Sequence, residues 1–253
     1  INTFGLLSGA LQKKKYINAL SIIKRSRFVD ELVCVDYNFV NWYRALVPYP
    51  QIRLNVIPNF CRISENYPQK IKSSDTINII FARRFFPYRG TRIFSNVMLH
   101  ILNEYDNIRV TIAGDGPDEN YLKNVFKGYK NVNFIKYNSD ESMAIHMDKD
   151  IAIIPTLGSE GTSLSLLEAM ATGCAPICTN VGGMTNIILN GYNGIMISPN
   201  EDELYEAVKK LINNKQLRES ISKRAFDTVC QSFNYNNWRM SWKEIIIKHS
   251  SKK

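Results

Sequence analysis

The chain has 253 residues, of which 45% are hydrophobic and 22% are charged, and its formal net charge at neutral pH is +9. This composition indicates a globular protein and excludes a membrane-spanning one, because no apolar run reaches the roughly 18 residues that a span requires. The start of the chain has no signal-peptide pattern, so we expect a cytoplasmic location. Net charge alone leaves nucleic acid, an anionic membrane surface or phosphorylated ligands as partners.

Cysteine usage argues against both a disulfide framework and a zinc site. The five cysteines are scattered and odd in number, and no two of them form a C-x-x-C pair. We expect reduced thiols in the core and no bound metal. The cysteines are Cys34, Cys61, Cys174, Cys178 and Cys230.

The basic residues form two clusters along the chain. One lies near the start and is interpreted as the solvated face of a helix; it comprises Lys13, Lys14, Lys15, Lys24, Arg25 and Arg27. The other occupies one short segment and comprises Arg83, Arg84, Arg89 and Arg92. Neither cluster has the interleaved aromatic residues of an RNA-binding surface, so we expect no nucleic-acid partner.

The first part of the chain is predicted to form a unit of its own. It contains a helix over residues 12–26 and strands over residues 31–36 and 53–57, and a polar connection follows over residues 59–74. Prolines interrupt the stretch between these elements, at Pro48, Pro50, Pro58 and Pro68. Because the chain begins at Ile1 and opens directly into a helix, we expect a fragment of a longer protein.

From residue 75 onward, short apolar runs alternate with helical patterns, which predicts a doubly wound parallel sheet with helices on both faces. The predicted strands cover residues 77–82, 109–113, 132–136, 151–155, 175–179 and 194–197. The predicted helices cover residues 91–105, 118–126, 139–147, 163–172, 184–189, 201–212, 216–230 and 236–247. We place residues 1–70 in the first unit and residues 71–235 in the doubly wound domain. Residues 236–253 form a final helix.

The loops that follow the strands are the candidate binding site, because ligands of open parallel sheets bind beyond the carboxyl ends of the strands. The loop over residues 83–90 places several guanidinium groups beside Gly90, which can open a helix. Guanidinium groups and a helix N-terminus both favour phosphate. The alternative is an exposed basic loop without a ligand.

A second loop, Gly114-Asp115-Gly116-Pro117, brings backbone close to a ligand or simply turns. This signal is weak, because neither the P-loop nor the full G-x-G-x-x-G pattern is present in the sequence. A nucleoside triphosphatase of the P-loop type and a standard nicotinamide enzyme are therefore not supported.

The strongest signal follows the strand over residues 151–155. The next helix is apolar on nearly every side except at Glu168, and a buried carboxylate needs partners. We expect the backbone amides of Gly161, Thr162, Ser163 and Leu164 to bind a diphosphate, while Glu160 and Glu168 accept hydrogen bonds from hydroxyls of two different sugars. The alternative is a capping box in which Glu168 pairs with Ser165 and caps the helix.

The motif Glu160 to Glu168, with seven residues between the acids, resembles the retaining glycosyltransferases of family 4. Val181-Gly182-Gly183 and Asn190-Gly191-Tyr192-Asn193-Gly194 also resemble that family, and the likeness runs from about Leu32 to the end. The resemblance implies an α/β protein of GT-B type. One Rossmann-like donor domain is then complete, and residues 1–70 are the end of an acceptor-side domain with its linker.

The resemblance also implies roles for individual residues. Arg84 and Arg89 would hold the pyrophosphate of the donor, and Glu160 would bind hydroxyls of the transferred sugar. Glu168 would bind the ribose, with Lys136 and Tyr137 near the base. The sequence departs from the family's pattern at Thr162-Ser163, where an aromatic–glycine pair is common, at Asn186, where an acid is frequent, and at Lys136, where glycine is frequent.

As a reaction, the resemblance implies that a sugar moves from a UDP- or GDP-linked donor to a glycan or lipid-linked acceptor, with retention of configuration and no obligatory metal. It suggests a role in polysaccharide or glycan biosynthesis, with peripheral contact at the inner membrane surface. The family's acceptor-side histidine is not assigned, because His100, His146 and His249 lie in predicted helices of the other domain or in the tail. We expect this chain to bind a nucleoside diphosphate without metal and to transfer sugar poorly.

Other functions remain possible from the sequence. Asp148-Lys149-Asp150 matches the Asp-x-Asp of metal-dependent glycosyltransferases with another fold, but it precedes a strand instead of following one. A nucleotide-sugar epimerase or hydrolase on the same frame would need no acceptor. A binding domain without transfer activity would keep the nucleotide site alone.

The final helix carries an apolar stripe typical of core packing, at Trp238, Trp242, Ile245 and Ile246.

Overall fold

The structure is a computed structural model, and it describes residues 21, 23–26, 28–47, 52–64, 66–68, 75–158 and 160–250. The described strands form a two-stranded and a six-stranded sheet. The small sheet pairs β1 (Glu31–Cys34) in parallel with β2 (Arg53–Val56), and helix α1 (Tyr37–Leu46) connects the two strands.

The large sheet is parallel throughout and has the strand order β5-β4-β3-β6-β7-β8. Its strands are β3 (Ile77–Ala82), β4 (Ile108–Ala113), β5 (Val132–Ile135), β6 (Ile151–Ile154), β7 (Ala175–Thr179) and β8 (Ile195–Ile197). The helices that follow the small sheet are α2 (Thr91–Glu104), α3 (Glu119–Val125), α4 (Leu164–Ala171), α5 (Glu201–Asn213), α6 (Lys215–Ser232) and α7 (Tyr235–Ser250). The predicted α/β architecture is confirmed. The predicted strands of the large sheet differ from the observed strands by a residue or less at each end, whereas the strand predicted over residues 31–36 ends two residues earlier, at Cys34.

Each face of the large sheet has its own hydrophobic core. On one face α2 and α5 cover the sheet, and the ring of Phe94 stacks on Phe81 with centroids 4.4 Å apart. On the other face α4 and α6 pack through residues such as Leu166 and Val229. Burial on both faces explains why the strands are nearly continuous apolar runs instead of alternating ones.

Two predicted helices are wrong. Residues 139–147 form turns and a short 3-10 helix, Ala144–His146, because the carbonyl of Ser142 accepts a bond from the imidazole Nδ1 of His146 at 2.7 Å. The hydroxyl of Ser142 is used in a tertiary contact with Glu168. Residues 184–189 are replaced by a 3-10 helix over Gly182–Asn186. Tight turns at both places bring loop groups to the sheet edge.

Helix α1 was not predicted, although its sequence signal is present. Asp36 is its N-cap and accepts a hydrogen bond from the amide of Phe39 at 3.0 Å. Phe39, Val40 and Tyr43 lie on its buried face. The helix predicted over residues 12–26 lies mostly outside the described residues, and residues 23–26 are helical.

The final helix differs from its prediction. None of the described residues of α7 is buried, and Ile246 has 58% of its surface exposed, so the expected core-packed stripe is wrong. Trp238 instead packs on Phe60, with ring centroids 4.9 Å apart. The helix ends against the small sheet, where Lys248 and His249 contact Glu31, as the resemblance implies for a crossover helix. No helix within the described ranges has the length and apolar character to cross a bilayer.

Candidate active site

Glycines allow three loops to meet at the carboxyl edge of the large sheet. Gly90 and Gly114 both have positive φ values, of 84° and 136°. A Cβ at Gly90 would lie 1.9 Å from the carbonyl oxygen of Pro155, and one at Gly114 would lie 2.1 Å from that of Arg83. Only glycine fits this backbone approach. The predicted loops after β3, β4 and β6 therefore form one site.

Arg83 is the centre of this site and is 7% exposed. Its guanidinium group donates hydrogen bonds to Thr156 Oγ1 at 2.9 Å, to Ser163 Oγ at 3.1 Å and to Ser165 Oγ at 2.7 Å. Burial lowers the pKa of this guanidinium, and the negative charge of Glu160 opposes the shift. Ser163 is one of the positions that depart from the family's pattern.

Glu160 lies between two guanidinium groups. Its Oε2 accepts a bond from Nη2 of Arg83 at 2.5 Å and a second from Nη1 of Arg89. The Glu160 side chain is 11% exposed, and that of Arg89 is 23% exposed. The carboxylate is thus fixed at the mouth of the site, while the guanidinium of Arg89 is open to solvent on one side.

Arg84 and Arg89, predicted to hold one pyrophosphate, differ in their surroundings. Arg84 is exposed, and its side chain makes no ion pair or hydrogen bond with a described residue. The structure brings Arg83 to Arg89 and Glu160 instead. The sequence does not predict the position of Arg83 in the site, because two adjacent arginines follow β3 and their pattern does not reveal which one points inward. The phosphate role of Arg84 stays a prediction.

The N-terminus of α4 presents backbone amides as the sequence predicts. Among the described residues, none accepts a hydrogen bond from the amides of Thr162, Ser163 or Leu164, and Ser163 provides no side-chain cap. The loop that precedes α4 is held by the loop after β7, because the amide of Gly183 donates to the carbonyl of Glu160 at 2.9 Å. Free amides at a helix N-terminus favour an anion.

Glu168 is not a helix cap, so the capping-box alternative is wrong. The N-cap of α4 is Ser163, and the Glu168 carboxylate accepts a bond from the Ser142 hydroxyl at 2.8 Å. Burial raises the pKa of Glu168, although Ser142 and the charge of Arg83 partly oppose the shift. The second carboxylate is therefore half-buried and faces the site from one turn inside the helix.

The two residues predicted near the base differ in their surroundings. Tyr137 is half-buried, and its pKa is raised by burial and by the nearby charge of Glu168. Lys136 is exposed and forms an ion pair with Glu119 at 3.1 Å, which directs it toward α3. Gly114, by contrast, lies in the loop against Arg83. The structure thus brings Tyr137 and Gly114 to the site more closely than Lys136.

The Asp-x-Asp sequence lies at the opposite edge of the sheet. Asp150 precedes β6, and its Oδ2 accepts a hydrogen bond from the amide of Asn78 at 2.8 Å near the start of β3. Within the described ranges, no group of three or more His, Cys, Asp or Glu side chains is arranged to hold a metal ion. Asp148 and Asp150 are therefore separated from the site by the length of the strands.

The loop after β1 and the start of α1 contact the site through polar groups. The hydroxyl of Thr162 donates to the carbonyl of Val35, and Asn38 Nδ2 donates to the carbonyl of Gly182 at 2.6 Å. The amide of Tyr37 donates to Asn186 Oδ1 at 3.0 Å. Thr162 and Asn186, which both depart from the family's pattern, thus join the two units.

Known structures share this architecture. Sucrose-phosphate synthase from Thermosynechococcus elongatus superposes with a TM-score of 0.82 at 15% identity, over 99% of this chain and 67% of that one. Anabaena HepE, solved in complex with UDP, gives a TM-score of 0.79 at 17% identity, over 96% of this chain and 71% of that one. The fold is therefore that of the GT-B glycosyltransferases.

A family model identifies the chain more closely. The model of the glycosyl transferases group 1 matches residues 63–228, and the chain belongs to this family. An uncharacterized glycosyltransferase of Methanocaldococcus jannaschii is 27% identical over 238 residues, which are 92% of this chain and 57% of that protein. The chain thus spans less than two thirds of the length of this relative.

Proposed function

We propose that the chain carries the donor site of a retaining glycosyltransferase of the family 4 type, which moves a sugar from a UDP- or GDP-linked donor. The observation that carries this proposal is the convergence of Arg89, Glu160 and the free amides of Thr162 to Leu164 at one edge of the sheet. Cationic and amide donors suit a diphosphate, and a carboxylate beside them suits sugar hydroxyls.

The difficult step of such a transfer is the departure of the diphosphate. Its growing negative charge is stabilised by Arg89, by Arg84 if its exposed side chain turns inward on binding, and by the amides at the start of α4. These groups supply positive charge that a divalent cation provides in other enzymes, so the proposal includes no obligatory metal. Glu160 orients the sugar and stabilises the positive charge that develops on it.

The nucleoside would lie toward β5. Glu168, half-buried and near Tyr137, accepts hydrogen bonds from the ribose hydroxyls, and the ring of Tyr137 lies beside the base. Gly114 allows a close backbone approach on this side, and Lys136, which pairs with Glu119, would turn toward the base. This placement uses both carboxylates on different sugars of one ligand.

The acceptor is proposed to be a glycan or a lipid-linked glycan, bound on the side of α1. The small sheet and α1 lie against Thr162 and Gly182, beside the proposed sugar position. Contact with the inner membrane surface is part of this proposal, since the net charge of +9 favours anionic lipids. Cosedimentation with vesicles of phosphatidylcholine, with and without phosphatidylglycerol, tests that contact.

Calorimetry with UDP, GDP and ADP in the presence of a chelator tests the donor site. The proposal predicts binding of at least one diphosphate without metal, weakened at least tenfold by Arg89→Gln, since a lost charged hydrogen bond is worth about 1.5–3 kcal/mol. Binding that requires a divalent ion would contradict it. Product analysis with sugar nucleotides, with and without acceptor glycans, separates transfer from epimerisation or hydrolysis, and the anomeric proton coupling of the product reports retention.

A further inference from the structure

Arg83 is not placed to bind the donor itself. Its side chain is 5% exposed, and its guanidinium nitrogens contact three hydroxyl groups and Glu160. A phosphate could reach it only by displacing these oxygens. Arg89 differs, because it shares the carboxylate oxygen of Glu160 with Arg83 but keeps 23% of its side chain exposed.

The shared carboxylate creates a conflict within the proposed site. If Arg89 binds the diphosphate, the ligand competes with Glu160 for the charge of its guanidinium and weakens their ion pair. The Glu160 side chain is only 11% exposed, so leaving its carboxylate without any cation would cost free energy. With Arg83 in place, Glu160 keeps a cation and a hydrogen-bond donor after Arg89 moves.

We propose that Arg83 is a positioning residue: it holds the Glu160 carboxylate in place so that Arg89 is free to exchange Glu160 for the donor's diphosphate. The inference rests on the proposed function and names a residue that the sequence motif does not include. In this role Arg83 acts through the groups that it holds in place and touches neither phosphate nor sugar.

Two further contacts fix the geometry of this arrangement. Nη1 of Arg83 bonds to Ser163 and Ser165, at the N-cap and in the first turn of α4. The same guanidinium therefore holds the carboxylate and the helix end that presents the amides. Thr156, after β6, accepts a bond from Nη2 and also lies 3.3 Å from Glu160 Oε2. These contacts connect Glu160 to the helix end that presents the amides.

A double-mutant cycle on the chain tests the inference. The variants are Arg83→Gln, Glu160→Gln and the double variant, and the probe is whichever of UDP, GDP and ADP the unsubstituted chain binds tightest. In the presence of Glu160, Arg83→Gln should weaken binding about tenfold, because Glu160 then pairs with Arg89 alone and competes with the diphosphate. In the Glu160→Gln background, the same change should alter affinity by less than about twofold.

The outcomes separate three roles for Arg83. An equal loss in both backgrounds would mean that Arg83 acts independently of Glu160, by binding the diphosphate directly or by holding the start of α4, which would overturn the inference but not the proposed function. No loss in either background would also overturn it. If no diphosphate binds to the unsubstituted chain, the proposed function fails and the inference fails with it.

The cycle includes a control variant and a replacement for Arg83→Gln. Arg109→Gln removes an exposed arginine on β4, away from the site, and should leave affinity unchanged. If Arg83→Gln does not fold, as judged by its thermal melt, Arg83→Lys replaces it in the cycle. Lysine keeps the charge but cannot span Glu160 and the serines, so its loss in the presence of Glu160 should be smaller than tenfold and should again disappear in the Glu160→Gln background.

Discussion

The two sheets of the molecule differ in how their stability and chemistry are provided. The six-stranded sheet has a hydrophobic core on each face and carries the arginines, the amides and both glutamates of the site. Among the described residues, the two-stranded sheet has a smaller core, built around residues such as Phe39 and Tyr43. The candidate site is built from loops of the large sheet, and the small unit makes contacts with the large one beside it.

Those contacts are mostly polar and lie beside the candidate site. Asn38 and Thr162 join the units at one end of α1, and Glu31 joins β1 to the end of α7. We therefore expect changes in the large core to affect both folding and ligand binding. Changes in the small unit should affect stability and leave diphosphate affinity intact.

The largest effect should come from the core of the large sheet. Phe94→Ala removes a fully buried ring stacked on Phe81 and should lower the free energy of unfolding by about 3–5 kcal/mol. Phe39→Ala, the matched change in the small core, should cost less and leave diphosphate affinity within about twofold. Denaturant melts and calorimetry check both. A loss of binding in folded Phe39→Ala would show that the units are not independent.

Glu168→Gln should produce the next largest effect, on binding and not on folding. Lost charged hydrogen bonds to ribose are worth about 1.5–3 kcal/mol, so the affinity for a ribonucleoside diphosphate should fall by about 10- to 100-fold. The affinity for the 2′-deoxy analogue should fall less. The melting temperature should not decrease, because burial already disfavours the ionised carboxylate. A lower melting temperature with unchanged affinity would contradict the ribose role.

The same carboxylate predicts a pH dependence. The pKa of Glu168 is raised from 4.5 by burial, so its ionised form is lost earlier than usual as the pH falls. Ligand affinity that depends on this form should therefore be full at higher pH and decrease as the pH drops through the raised pKa. Calorimetry from pH 8 toward pH 5 checks this, and the affinity of Glu168→Gln should lack this component. An identical pH profile in both proteins would contradict it.

A smaller effect is expected where the two units meet. Asn38→Ala removes the bond to the Gly182 carbonyl and should lower stability by about 1–1.5 kcal/mol. Diphosphate affinity should not change, because the site lies within the large unit. Asn96→Ala, which removes a contact with Glu201 on the far side of the sheet, is the matched control for a lost asparagine bond.

The smallest effect should come from Glu31. Lys248, His249 and Asn55 lower its pKa to about 2 from 4.5, so its contribution to stability is present above pH 4.5 and is lost as the pH falls toward 2. Its partners Lys248 and His249 are 36% and 33% exposed and therefore screened by solvent, so Glu31→Gln should cost only about 0.5–1 kcal/mol at neutral pH. Thermal melts at pH 7 and pH 3 should show the difference narrowing in acid.

The sequence predicts the large sheet well because its strands are apolar runs between helical patterns, and burial on both faces leaves little ambiguity. The loops are predicted less well. Ser142 and His146 have a helix-like pattern, but a side-chain bond to the Ser142 carbonyl and the tertiary contact with Glu168 stabilise a tight turn there. Local patterns do not contain such long-range partners.

The candidate site shows the same limit at the level of single side chains. The two glutamates and the free amides follow from the motif and from the helix start, and the structure brings them to one edge. The direction of Arg83 does not follow, since it depends on hydroxyls at Thr156, Ser163 and Ser165 that come from another strand and helix. A pair of adjacent arginines reveals charge but not which of them is buried.

We propose that one edge of the large sheet binds a nucleoside diphosphate. A crystal structure of the chain with the tightest-binding diphosphate, grown in chelator, shows where that ligand lies. We expect phosphate oxygens at about 3 Å from the Arg89 guanidinium and from the amides of Thr162 to Leu164, with the ribose at Glu168. A nucleotide bound elsewhere, for example in the groove between β8 and α5 lined by Ile195 and Lys210, would contradict it.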